Sequence, residues 1–64
     1  MIKNNLKKFR KKQGLTQKQI AEKLYIGTVG YSYWEHGRTR PSFEMIFELE
    51  KILKCDFHDM FYEE

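Results

Sequence analysis

Catalysis needs titratable or nucleophilic side chains at set spacings, and this sequence offers few. His36 and His58 stand apart, and neither has Cys or carboxylate neighbours at metal-ligand spacing, so neither a metal site nor a cofactor is expected. Asp56 and Asp59 fit a helix cap and a first-turn charge better than a catalytic pair. No glycine-rich loop follows a strand to cradle a phosphate. The single cysteine, Cys55, excludes an internal disulfide and reads as a buried, inert thiol rather than a redox sensor. No enzyme is expected. The chemistry that the chain does carry is that of holding a polyanion. Residues 1–40 contain ten Lys/Arg against two acids (Glu22 and Glu35), a net of +8; residues 41–64 contain two lysines against seven acids, a net of −5. Such polarity attracts a polyanion on one side of the molecule and repels it on the other. The same lysines could instead simply solvate a helix face, and charge alone does not choose.

Residues 16–37 must position whatever binds. Thr16 sits where a helix would begin, with Gln19 at the spacing of a reciprocal capping box. Ile20, Ala21 and Leu24 form a narrow apolar stripe, and Ala21 is small enough to let a second helix approach. Gly27 can start that second helix, in which Tyr31, Trp34 and Glu35 face inward while Thr28, Val29, Ser32 and Tyr33 face out. Two helices crossing steeply over so short a turn make a helix-turn-helix, whose second member suits the major groove of DNA. Coupled to this motif, the charge polarity favours DNA. Gln17 and Ser42 stand at helix starts, where free amides and the dipole favour phosphate, and Arg38 and Arg40 lie on a loop with only solvent or phosphate to meet.

The remaining elements follow from caps and periodicity. Asn4 or Asn5 can cap a first helix, with Ile2, Leu6 and Phe9 on one face, that ends near Gln13 with Gly14 as a left-handed stop. Gly37 and Pro41 bound the loop after the third helix. Ser42 caps a fourth helix to Leu53 or Lys54, with Phe43, Ile46, Leu49 and Leu53 as its main stripe, and Asp56 caps a short fifth. With 64 residues, 41% of them apolar, one domain spanning 1–64 is expected, all-α, with five helices and no sheet. Its core is expected to include Leu6, Phe9, Leu15, Ile20, Ala21, Leu24, Tyr31, Trp34, Ile46, Leu49, Leu53 and Phe61. There is no apolar run of membrane-spanning length and no signal peptide, so a cytoplasmic location with no membrane partner is the expectation.

The strings GLTQKQIAEKL (14–24), YSYWEHG (31–37) and PSFEMIFELEKIL (41–53) resemble the lambda-repressor/Cro-like family of helix-turn-helix regulators, over about Leu6 to Phe61. Taken by itself, Arg10 is either one more exposed base of the KKFRKK run or the partner of an acid. The resemblance implies the second, a pair with Glu35 that ties the first helix to the third. It also implies that Tyr31 and Trp34 are core residues and that Tyr33 reaches bases. Three residues depart from the family pattern: Tyr25 replaces the turn glycine, Gly27 the Ser/Thr cap, and Gly30 lies inside the third helix. Glu50 stands where the family has alanine, and is expected at the rim, with its carboxylate reaching solvent or a lysine.

The function that these residues imply is a sequence-specific DNA-binding transcription regulator of repressor type, reading an inverted repeat as a homodimer. Gln17, Arg38, Arg40 and Ser42 would hold phosphates, and Thr28, Val29, Ser32 and Tyr33 would face base edges. One short reading helix gives too little contact for a tight specific site, so dimerisation through Phe57, Met60 and Tyr62 would supply a second. The rival is a protein-interaction module of antitoxin or anti-repressor type on the same fold, which the three departures favour. A third reading, a membrane-surface peptide, is disfavoured because the basic helix bears only a narrow apolar stripe, and no small-molecule ligand is evident.

Overall fold

The computed structural model describes residues 2–64, the side chain of Ile2 excepted. Five helices carry the chain: α1 (Leu6–Lys12), α2 (Gln17–Lys23), α3 (Thr28–Glu35), α4 (Phe43–Leu53) and α5 (Phe57–Met60). The mostly helical, five-helix architecture is as the sequence predicts, with one addition. Ile2–Asn4 (β1) and Phe61–Glu63 (β2) pair antiparallel in the register Ile2↔Glu63, Lys3↔Tyr62, Asn4↔Phe61, so the expectation of no sheet does not hold. Three-residue strands are too short to show a period of two, which is why no alternation marks them. The expected sharing of a face by Ile2 with Leu6 and Phe9 lies outside the described residues.

The two asparagines divide the start of α1 between them: Asn4 supplies a side-chain acceptor to its first amide, and Asn5 ties it to the far end of the chain. Asn5 occupies the N-cap without a side-chain capping bond; its amide N–H donates to the Met60 carbonyl at 2.7 Å and its Nδ2 to the Asp59 carbonyl at 3.1 Å. Asn4 Oδ1 accepts from the Leu6 N–H at 3.1 Å, while its Nδ2 donates to the Trp34 carbonyl at 3.0 Å. The other helix starts follow their caps. Thr16 with Gln19, and Asp56 with Asp59, form reciprocal capping boxes, and Ser42 Oγ accepts from the Met45 N–H. Glu50 is half-buried at the rim as expected, but its carboxylate has a backbone partner rather than a lysine: its Oε2 accepts from the Phe57 N–H at 3.0 Å, satisfying a free amide at the start of α5.

Four helices end alike, on a residue at positive φ with a backbone bond reaching five residues back. The residues are Gly14 (φ 72°), Tyr25 (φ 58°), Gly37 (φ 75°) and Lys54 (φ 55°), and the bonds are Leu15 N–H to Arg10, Ile26 to Ala21, Arg38 to Tyr33 and Cys55 to Glu50. Each closure turns the chain sharply without leaving the last carbonyls unpaired. At Tyr25 this happens in the turn between α2 and α3, so a bulky side chain takes the left-handed conformation that glycine would adopt at no cost. The tyrosine is 95% exposed, so packing does not drive the strain.

The core contains Leu6, Ile20, Ala21, Leu24, Tyr31, Ile46, Leu49, Leu53 and Met60, with Phe9, Leu15, Trp34 and Phe61 partly buried against it. Tyr31 and Trp34 meet edge to face, 5.9 Å between ring centroids. Phe43 does not join the stripe: at the first position of α4 it is 80% exposed. Among the described residues no helix is long and apolar enough to cross a membrane. Within α3, a Cβ added at Gly30 would meet nothing within 4 Å, and the residue has no positive φ to require glycine. Gly30→Ala is therefore expected to stabilise the fold by ~1 kcal/mol. A thermal melt followed by circular dichroism should show the midpoint rise by roughly 4–8 °C; a fall would mean that this face of α3 is packed.

Candidate nucleic-acid interface

α3 is held from inside by charge. Arg10 projects from the middle of α1 and Glu35 from the last turn of α3, and their side chains retain only 9% and 4% of their exposure. Arg10 Nε donates to Glu35 Oε2 at 2.6 Å and Nη2 to Oε1 at 3.3 Å, a two-pronged contact, while Nη1 donates to the Leu15 carbonyl at 2.8 Å. Gln17, the first residue of α2, donates from Nε2 to Glu35 Oε1 at 2.9 Å. Three helices therefore converge on one carboxylate. Burial pushes the Glu35 carboxyl up, but the hydrogen bonds from Arg10 and Gln17 outweigh it and hold the group below its ordinary range. The bond to Glu35 likewise raises Arg10. The Tyr31 hydroxyl is enclosed beside this pair without a hydrogen bond of ordinary geometry, and burial, then the nearby carboxylate, keep its proton on.

With its inner side fixed, α3 turns the other side to solvent. Thr28, Val29 and Tyr33 are exposed, Val29 at 65% and Tyr33 at 41%, and Ser32 is half-buried. His36 closes the helix, its Nδ1 lying 2.8 Å from the Ser32 carbonyl. Arg38 and Arg40 stand exposed on the following loop. The Arg38 guanidinium lies 5.5 Å from the centre of the Tyr33 ring, a contact between two outward-facing groups that sequence spacing did not disclose. The stacking presents a flat aromatic edge and a cation side by side. Ser42 is exposed, its hydroxyl oxygen already accepting from Met45, so its hydrogen remains free to donate outward. Gln17 is placed otherwise than a free phosphate ligand, because one side-chain N–H is committed to Glu35; its backbone amide still lies in the first turn of α2.

The residues expected to join two copies, Phe57, Met60 and Tyr62, are divided by the fold. Phe57 and Tyr62 are each 42% exposed, but Met60 is fully buried in its own core, so it cannot serve a partner. It sits at the end of α5, where the strand that follows and the Asn5–Met60 bond press it inward. Phe43 takes its place on the surface. A groove of about 470 Å3 is bordered by Pro41, Phe43, Ile46, Phe57, Phe61 and Tyr62, with Arg40 and Glu63 at its rim. Phe57 lies on Phe61 at 5.4 Å between centroids. Spacing alone put Phe43 with Ile46 and Leu49; only its place at the helix start, beyond the reach of the core, takes it out.

Among the described residues no three His, Cys, Asp or Glu side chains gather to hold a metal. Burial, reinforced by Asp59, Asp56 and Glu50, raises the Cys55 thiol, which disfavours the nucleophilic thiolate.

A helix-turn-helix family model matches residues 6–60. The chain is 38% identical over 53 residues to YqaE, an uncharacterised HTH-type transcriptional regulator of Bacillus subtilis, covering 83% of this chain and 46% of that one. It is 40% identical over 40 residues to the HTH-type transcriptional regulator DicA of Escherichia coli, covering 62% of this chain and 30% of DicA. The chain thus spans less than half the length of these two relatives. A crystal structure of a candidate DNA-binding protein from Bacteroides fragilis shares the fold, with a TM-score of 0.86, 21% identity, and coverage of 97% of this chain and 100% of that one.

The buried pair generates a test of its own. Arg10→Met or Glu35→Gln alone should each destabilise by roughly 3–5 kcal/mol, because either leaves the other charge or dipole poorly matched. An apolar replacement of both, Arg10→Met with Glu35→Leu, should recover much of that loss, measured against the same two changes made singly as coupling in a urea double-mutant cycle. Because the folded Glu35 pKa is lowered, its contribution is complete above the unfolded value of about 4.3 and is lost as pH falls through the lower folded value. The Glu35→Gln variant should lack that acid-limb loss.

Proposed function

The chain belongs to the helix-turn-helix family of transcription regulators, and on that premise we propose that it binds double-stranded DNA sequence-specifically, with α3 in the major groove. The observation that carries this is the exposed row Thr28, Val29 and Tyr33 on a helix whose other side is locked by Glu35, flanked by Arg38 and Arg40. Thr28 and Val29 bring methyl groups suited to thymine, and Ser32 and Tyr33 bring hydroxyls for single hydrogen bonds to base edges. Arg38, Arg40, Ser42 and the first-turn amides of α2 serve the phosphates; the carboxamide of Gln17, steadied by Glu35, offers its second N–H to the same backbone. The net positive charge of residues 1–40 favours approach of DNA, and the net negative charge of residues 41–64 disfavours approach by that segment's acidic side chains.

One eight-residue reading helix makes too small an interface for a tight specific site, so the working unit is a homodimer. The apolar groove supports this: it adjoins the loop that carries Arg40, so two copies meeting there through Phe43, Phe57 and Tyr62 bring their phosphate-binding loops together. The two reading helices then lie about 34 Å apart on an inverted repeat. Repression is the simplest outcome, since a dimer covering a promoter excludes polymerase without any contact to it.

Two sets of variants test this. Arg38→Ala and Arg40→Ala should weaken all DNA sites nearly equally and make the slope of log affinity against log salt shallower by roughly 0.9 for each lost contact. Val29→Ala and Tyr33→Phe should alter the preferred base by ~1–3 kcal/mol per position and leave the salt slope nearly unchanged. Affinities across a panel of single-base operator changes at two salt concentrations give both readings. Loss of affinity without any change in base preference would remove α3 as the reader and put the protein-interaction module in its place. For assembly, sedimentation should show a dimer that Phe57→Glu converts to monomer, with weaker operator binding.

A further inference from the structure

The outer face of α4 carries two rows of side chains that neither the core nor the proposed DNA contacts use. Phe43 and Phe47 lie four residues apart and are 80% and 60% exposed. Glu44 and Glu48, also four apart and exposed, run beside them. Phe43 borders the apolar groove, but Phe47 lies a helical turn beyond it. With most of its surface in water, Phe47 contributes little to stability, and its acidic flank excludes DNA as the partner.

The complementary surface is on the same chain. α1 presents Lys7 and Lys11, and Lys8 and Lys12, as two four-residue-spaced rows, all exposed. The Lys8 and Lys12 ammonium groups lie 5.6 and 5.8 Å from the centre of the half-buried Phe9 ring, so this face too is aromatic beneath its charge. Within the chain the two faces do not meet. The ion pairs found among the described residues are Arg10–Glu35 and, along α4 itself, Lys51–Glu48 at 3.7 Å. A lysine pair four apart on one helix matches a glutamate pair four apart on another, and lysine stems can cover an exposed phenylalanine while their ammonium groups reach the acids.

We propose that the Phe47–Glu44–Glu48 face of α4 docks on the α1 lysine face of a second copy of this chain. Made once per pair of molecules, the contact is head to tail and leaves one free face of each kind at its ends, unlike a twofold dimer interface in which both faces are taken up reciprocally. It therefore adds molecules to one another in line, beyond any dimer. Being electrostatic and exposed, the contact is weak in dilute solution and strengthens wherever copies are held side by side.

Sedimentation equilibrium of the full chain up to millimolar concentration tests this without DNA. At low ionic strength the mean mass should keep rising with concentration past that of a dimer, and added salt should reverse the rise. Glu44→Lys with Glu48→Lys, and separately Lys7→Glu with Lys11→Glu, should each weaken this further association by roughly tenfold or more. An equimolar mixture of the two doubly changed proteins should regain it. The uncharged change Phe47→Ser should also weaken it, with the circular dichroism spectrum unaltered, which guards against a charge-reversed protein that does not fold. A mass that stops at monomer or dimer, association indifferent to the charge reversals, or a mixture that fails to recover would each overturn the proposal.

Discussion

Arg10 and Glu35 are both nearly closed to solvent, so neither charge can be left without the other. Stranding one would cost several kcal/mol, a large share of what holds so small a domain together. The pair adds little net stability over a well-packed apolar one, but it sets position: the two-pronged geometry is satisfied in only one placement of α3 against α1. Gln17 brings the start of α2 into the same constraint, and the carbonyl of Leu15 brings in the turn before it. The outward row on α3 is therefore aimed by a contact on the opposite side of the helix.

The rest of the molecule is consistent with an inside fixed by a few specific bonds and an outside left free. The helix ends are closed by backbone bonds and by residues at positive φ rather than by burial, so the loops can stay short without covering the surface they flank. The strain at Tyr25 falls in the turn that sets the angle between α2 and α3. A left-handed residue is required there by the path of the chain, and tyrosine takes it because the position faces water and nothing obstructs the ring.

Most of this was legible in the residues. The caps at Thr16, Ser42 and Asp56, the stops at Gly14 and Gly37, and the division of α3 into inner and outer sides all depend on local spacing, which a sequence displays directly. What spacing could not show involved partners distant in the chain. Gln17 reads as a free helix-start residue until Glu35 is seen beside it, and Glu50 reads as a misplaced charge until the α5 amide is found to need an acceptor. Met60 and Phe43 exchanged roles for a related reason. Periodicity tells which side of a helix a residue is on, not whether the end of that helix reaches the core or overhangs it. The strands escaped notice because pairing is decided by where the two ends of the chain finish on the bundle.

That pairing bears on the order in which the fold forms. β1 joins β2 across nearly the whole chain, and Asn5 meets Met60 over a comparable span, so these contacts close the largest loop the molecule contains. Closing a loop of that length is entropically the most demanding step, and it gains little until the helices have already brought the ends together. The strand pair therefore belongs late in folding, as a latch on a bundle assembled from nearer contacts. Interactions made after the rate-limiting barrier slow unfolding more than they hasten folding. The short sheet should thus govern how long the native state persists once formed, while the helices govern how fast it is reached.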